Sequence, residues 1–205
     1  SHSMAKKPVT IDLQEEERKI EAEIREWSSS IIEAPNPNFQ NIPTCPYAKA
    51  AWEKNLVKIV FDHKGRDGKL LKYLSSYDDN YDLIIIVDTD YEEDQEAFHD
   101  SISEVNELIS KDVWGNSDLW IMGFHPYDDE NDALDSESFE PISDYSYGLI
   151  FVQRLSFLQE AANKLELQGY YNVYKDDSDI NQMYKVRKDY YRRLKHGNGK
   201  ESRAS

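Results

Sequence analysis

The chain predicts an α+β fold: a single mixed sheet of about four strands with helices packed mainly on one face, an order that admits a ferredoxin-like arrangement. Three observations carry this. The run from Asp82 to Thr89 (DLIIIVDT) has the composition of a central strand covered on both faces. Segments with helical spacing stand on either side of it. Two later strand segments are joined by a long acidic loop rather than by a helix, which a purely parallel α/β sandwich does not allow.

The elements follow in order. Between Ile11 and Ile32, residues Leu13, Ile20, Ile24, Trp27 and Ile31 recur at helical spacing among Glu, Arg and Lys, which makes an amphipathic helix. It stops before Ala34-Pro35-Asn36-Pro37-Asn38, where the prolines forbid helix and favour an extended connector. Pro46 is well placed as a first helical residue, so Tyr47 to Asn55 reads as a short helix. Leu56 to Phe61 is a strand, Gly65-Arg66-Asp67-Gly68 a turn, and Lys69 to Tyr77 a short helix. After the central strand, Ala97, Phe98, Ile102, Val105, Leu108 and Ile109 give a helix over Glu92 to Lys111. Leu119 to Phe124 and Tyr147 to Gln153 are strands, and Ser156 to Leu167 and Ile180 to Leu194 are helices. A single domain over 4–184 is expected, followed by a basic helix end and tail over 185–205.

Charge narrows the function. The formal net charge of -16 argues against a chain whose whole surface binds nucleic acid or an anionic membrane. No apolar run approaches a membrane span, and one cysteine rules out an internal disulfide framework, so a cytoplasmic, reducing compartment is expected. Ser1-His2-Ser3 ahead of Met4 reads as the remnant of a cleaved tag, and no signal-peptide pattern follows it. Eight acids and no base lie between Asp128 and Asp144, whereas eight bases lie between Lys185 and Arg203. The plain reading is a solvated acidic loop and a basic last helix that complements its own C-terminal dipole while resting on the acidic body. The sharper one is that the acidic segment binds a cation or folds over a site, and that Tyr190-Tyr191-Arg192-Arg193 is a contact patch for RNA or a protein.

Three segments can carry chemistry. In Thr44-Cys45-Pro46-Tyr47-Ala48-Lys49 the thiol of Cys45 caps a predicted helix start, where the dipole favours thiolate, and Lys49 returns near the same face. In Gly123-Phe124-His125-Pro126-Tyr127 a histidine directly follows a strand and can act as a base or a metal ligand, or bond a backbone carbonyl as a structural residue. In the third, Tyr147 offers a hydroxyl and Arg154 a planar fork for a carboxylate or phosphate, unless Arg154 simply pairs with an acid. His63 and His99 are less suggestive, the latter reading as exposed. No Gly-rich phosphate loop, CxxC pair, HExxH or GxSxG is present, and no cofactor is expected.

Taken together, CPYAK, FHP and a Tyr-containing junction running into a strand that ends in Arg resemble the bacterial family catalogued as domain of unknown function 1415, whose members read LCPFAK, SFHPDYQF and NRSPYPTLHLLREAS. Cys45, Pro46, Ala48 and Lys49 match the first motif, with Tyr47 in place of Phe. Phe124, His125 and Pro126 match the second, and Tyr147 and Arg154 the third, where Ser146 and Gly148 stand at family prolines and Phe151 at a family histidine. The resemblance spans about residues 27–165 and implies a cytoplasmic, bacterial-type protein with Cys45, Lys49, His125 and Arg154 as one cluster.

The expected function is a small enzyme with Cys45 as nucleophile or redox thiol and His125 as base, Lys49, Tyr147 and Arg154 receiving an anionic small molecule for acyl or thiol chemistry. A variant places a metal ion between Cys45, His125 and Asp128 or Asp129. The alternative is a non-catalytic acidic protein that engages a basic protein partner.

Overall fold

The computed structural model describes residues 12–36, 42–43, 46–63, 68–128, 143–167 and 179–196. Helix α1, Leu13–Trp27, starts at Asp12, whose carboxylate accepts from the amides of Gln14 and Glu15. It ends in a π-turn over Ser28–Ile32. A two-residue antiparallel ribbon, β1 (Pro35–Asn36) with β2 (Ile42–Pro43), occupies part of the proline-rich connector. Helix α2 spans Pro46–Glu53 and is tied to the end of α1: the Trp52 indole donates to Ser28 Oγ at 2.9 Å, and the Arg25 guanidinium lies 4.7 Å over the Trp52 ring.

The main sheet contains β3 (Val57–Asp62), β4 (Leu83–Asp88), β5 (Trp120–Phe124) and β6 (Gly148–Gln153) in the order β3-β4-β6-β5. Strands β3 and β4 are parallel and connected through α3 (Lys69–Ser75), whereas β6 runs antiparallel to both of its neighbours. The α+β class with one four-stranded mixed sheet is therefore present, and the Asp82–Thr89 run does form an interior strand. The element order β-α-β-α-β-β differs from the β-α-β-β-α-β of a ferredoxin-like fold, and the parallel pair lies at one side of the sheet.

The helices cover both faces, where mainly one was expected. Both interior strands are apolar on alternate sides, so each face needs a cover. On one face α3 and α4 (Gln95–Ser110) bury Tyr73, Leu74, Phe98, Ile102 and Ile109 against Ile84, Ile86, Ile121, Ile150 and Val152. On the other, α1 and α2 bury Ile20, Ile24, Trp27 and Ala48 against Leu83, Ile85, Val87, Leu149 and Phe151. Gly123 lets α4 approach β5 closely: a Cβ there would sit 2.7 Å from Ile102 Cγ1 and 2.8 Å from Phe98 Cε2. Helices α5 (Leu155–Leu167) and α6 (Asp179–Lys195) form a pair that packs Leu155, Leu158 and Tyr191 on Trp120. Residue 185, where the basic helix end and tail was expected to begin, lies within α6. Among the described residues no helix is long and apolar enough to cross a membrane.

Candidate functional site

Alternation along the strands decides which face each candidate occupies. His125 follows β5 on the α4 face, where its ring lies edge-on to Tyr91, Phe98 and Tyr127 with centroids 5.3, 5.2 and 4.8 Å away. It is 1 % exposed. Its Nε2–H donates to the carbonyl of Glu92 at 2.8 Å and its Nδ1 accepts from the Tyr127 amide at 3.2 Å. Both nitrogens thus serve the backbone, which is the structural role rather than that of a base. Helix α2, with exposed Lys49, packs through Ala48 on the opposite, α1 face. Cys45, directly before α2 in the chain, lies outside the described residues, as do Asp129 and the acidic segment up to residue 142.

Arg154 and Tyr147 flank β6 at opposite ends, about 20 Å apart for a strand of this length. The Arg154 fork is spent on Asp79 at 3.0 Å and Asp82 at 3.1 Å, and its guanidinium lies 4.1 Å over Phe157. It does not share a site with His125, because the strand that joins their motifs carries them to opposite ends of the sheet. Asp128 is likewise committed: Oδ1 accepts from His99 and Gln95, at 2.8 and 2.7 Å, and Oδ2 accepts from the His125 amide at 2.9 Å. Burial pushes its carboxyl up, but these bonds outweigh that and hold it below the ordinary aspartate value. His99, read from sequence as exposed, is the partner that fixes this turn. Both ring nitrogens of His125 and both oxygens of Asp128 already hold hydrogen-bond partners, and among the described residues no group of three or more His, Cys, Asp or Glu side chains is arranged as a metal site.

A different constellation assembles on the α1 face, where the parallel pair ends. His63, one residue beyond β3, stacks on Phe61 at 5.5 Å. Its Nδ1 meets Thr89 Oγ1 at 2.9 Å and its Nε2 meets Glu17 Oε2 at 2.8 Å. The imidazole is 16 % exposed and the Glu17 side chain 31 %, whereas Thr89 is buried. Thr89 is therefore the fixed partner and Glu17 the one at the surface. The group lies at the carboxyl ends of adjacent parallel strands, the end at which open α/β sheets bind their ligands.

Beside it, α1 aims two buried carboxylates at the start of β6. Glu16 Oε2 accepts from the amides of Asp144 and Tyr145, both at 2.6 Å, and Glu23 accepts from the Ser143 amide and from Tyr147 Oη, both at 2.9 Å. Burial, and then the charges of Glu23 and Glu16, push the Tyr147 phenol well above its ordinary value, so Tyr147 is a donor held neutral. Glu16 Oε1 is buried with no hydrogen-bond partner among the described residues. Sequence reasoning missed this group, although Glu16 and Glu23 stand on the Ile20/Ile24/Trp27 stripe of α1, and acids at core-facing positions are a readable signal.

These features define an α+β protein with a histidine–carboxylate–hydroxyl array at the carboxyl end of a parallel strand pair. No family model, no curated protein and no solved structure matches the chain.

Proposed function

We propose that the protein is a small enzyme of acyl or thiol chemistry in which Cys45 is the nucleophile and His63, rather than His125, is the base. The observation that carries this reading is the His63 imidazole held between Glu17 and Thr89 on the face that α2 also covers. Thr89 orients Nδ1 from the interior, and Glu17 is the partner that an incoming group displaces from Nε2. Once Glu17 has left Nε2, the neutral imidazole carries its proton on Nδ1, donated to Thr89 Oγ1, whose own hydroxyl points to the Asp62 carbonyl; the free Nε2 then takes the proton from Sγ, leaving a thiolate and an imidazolium whose charge the nearby Glu17 stabilises. The CPYAK resemblance supports Cys45 as the thiol, and a lone cysteine suits a reducing, cytoplasmic setting.

Because the chain has one cysteine, a thiol reagent reports Cys45 alone. Its reaction rate is measured against pH in the parent protein and in His63→Gln and His125→Gln, with circular dichroism as the folding control. The expected result is a thiol titrating below the ordinary value of about 8.5, a rate that falls at least tenfold in His63→Gln, and no change in a folded His125→Gln. A rate indifferent to His63→Gln in a folded protein overturns the assignment.

A second reading, a non-catalytic acidic protein that engages a basic partner, is favoured by the net charge of -16. It predicts salt-sensitive capture of a basic polypeptide that leaves Cys45 reactivity unchanged.

A further inference from the structure

Helix α6 reverses the charge of the rest of the molecule: its 17 residues hold six Lys or Arg and two Asp within a chain of net charge -16. Packing fixes how it is turned. Its inner side is occupied by Arg187, whose Nε donates to Gln159 Oε1 at 2.9 Å, and by Tyr191, whose hydroxyl donates to Glu160 at 2.8 Å. Tyr190 lies against Trp120 at 6.1 Å on the same side. Lys185, Lys188, Arg192 and Lys195 are all exposed, and their spacing of three, four and three residues puts them in one row along the outer face.

We propose that this row is a docking surface for the phosphate backbone of a nucleic acid. The row covers about 15 Å of helix, enough for several phosphates at about 3.4 Å of axis per strand. Charge complementarity gives the attraction, and the acidic remainder repels the same polyanion, so the contact is confined to α6. Composition separates this partner from the others. A protein interface needs an apolar centre, and a membrane-lying helix needs an apolar face, whereas among the described side chains of α6 Val186 is the one large apolar residue that is exposed. Phosphate contacts need only charge and hydrogen-bond donors. Asp189, the acid within the row, is bonded to Arg192 and Arg193. The rings of Tyr190 and Tyr191 are turned inward, so the contact proposed is with the backbone and not with bases stacked on them.

The test uses the full chain and fluorescence anisotropy of a labelled oligouridylate, titrated between about 50 and 200 mM salt. The expected logarithmic salt slope is about -3, for four single-strand phosphates at about 0.7 each. Reversing two charges of the row, Lys188→Glu with Arg192→Glu, is expected to weaken binding at least tenfold and to lower the slope by about 1.4. The control reversal Lys54→Glu with Lys111→Glu, at exposed positions elsewhere, is expected to change affinity less than twofold. Equal weakening in the two variants, or no binding at the lowest salt, overturns the proposal. So does stronger binding to phosphatidylserine vesicles than to the oligonucleotide, or salt-reversible self-association that the row variant abolishes in the absence of oligonucleotide.

Discussion

Asn106 of α4 does the work of a missing strand for Ile121 of β5: its Nδ2 donates to the Ile121 carbonyl and its Oδ1 accepts from the Ile121 amide, each at 2.9 Å. Among the described residues β5 is an edge strand, and at its second residue this carboxamide satisfies both backbone groups that pairing with β6 leaves unmet. Replacing it with Ala orphans both in a residue that is 1 % exposed. Asn106→Ala is expected to cost about 2–4 kcal/mol, the penalty of two unsatisfied buried groups, measured as a lower urea midpoint with an unchanged denaturant slope.

Gly123→Ala is expected to cost about 1–3 kcal/mol through overpacking, because Ile102 and Phe98 already occupy the space of the new methyl. Adding Ile102→Val, which trims the crowded side chain, is expected to recover part of the loss. Urea unfolding of the single and double variants reads both effects.

For His125 the prediction is one of stability. His125→Ala removes a ring that bonds Glu92 and Tyr127 and packs on Tyr91 and Phe98. The expected cost is about 2–4 kcal/mol, seen as an earlier thermal transition.

Asp128 has a pH signature. Its carboxyl titrates below the ordinary value of 3.8, so its contribution is present above that value and is lost as the pH falls through the lower, folded one. Urea midpoints are expected to drop more steeply below about pH 4 in the parent than in Asp128→Asn, which starts less stable because its amide cannot accept at both positions. Parallel curves for the two proteins would remove Asp128 from the acid transition.

At the alkaline end Tyr147 has the opposite sign. Its pKa is raised, so its contribution is complete below the ordinary value of 10.0 and fades as the pH climbs beyond it. Tyr147→Phe is expected to be less stable at neutrality, by about 1 kcal/mol for the lost hydrogen bond to Glu23, and to lose less stability on titration toward pH 11 to 12. Circular dichroism at fixed urea follows it.

Local pattern carried most of the fold. The Asp82–Thr89 run and the spacing of Phe98, Ile102 and Ile109 are short-range signals that need no knowledge of the partner. The insertion of β6 between β4 and β5 depends on residues far apart in sequence, so no local pattern reports it. The site followed the same division. His125 is a plausible base on its own segment and becomes a structural residue only through the Glu92 carbonyl, thirty-three positions away. His63 looked unremarkable until α1 brought Glu17 across to it. Arg154 was legible both as an anion fork and as an acid's partner, and the neighbours Asp79 and Asp82 decide for the latter.

The place of β6 in the sheet also sets a clock. Strand β5 ends at Phe124, and its one strand neighbour among the described residues begins at Gly148. During synthesis at about 5–20 residues per second, β5 therefore waits roughly one to five seconds for the chain that will hold it. Through that interval its ladder groups are met by water, by Asn106 if α4 has already formed, by the equally unpaired edge of β4, or by a strand from another nascent chain. The sheet closes from the inside last, and the late arrival of one interior strand makes those seconds the period in which this protein is most open to mispairing.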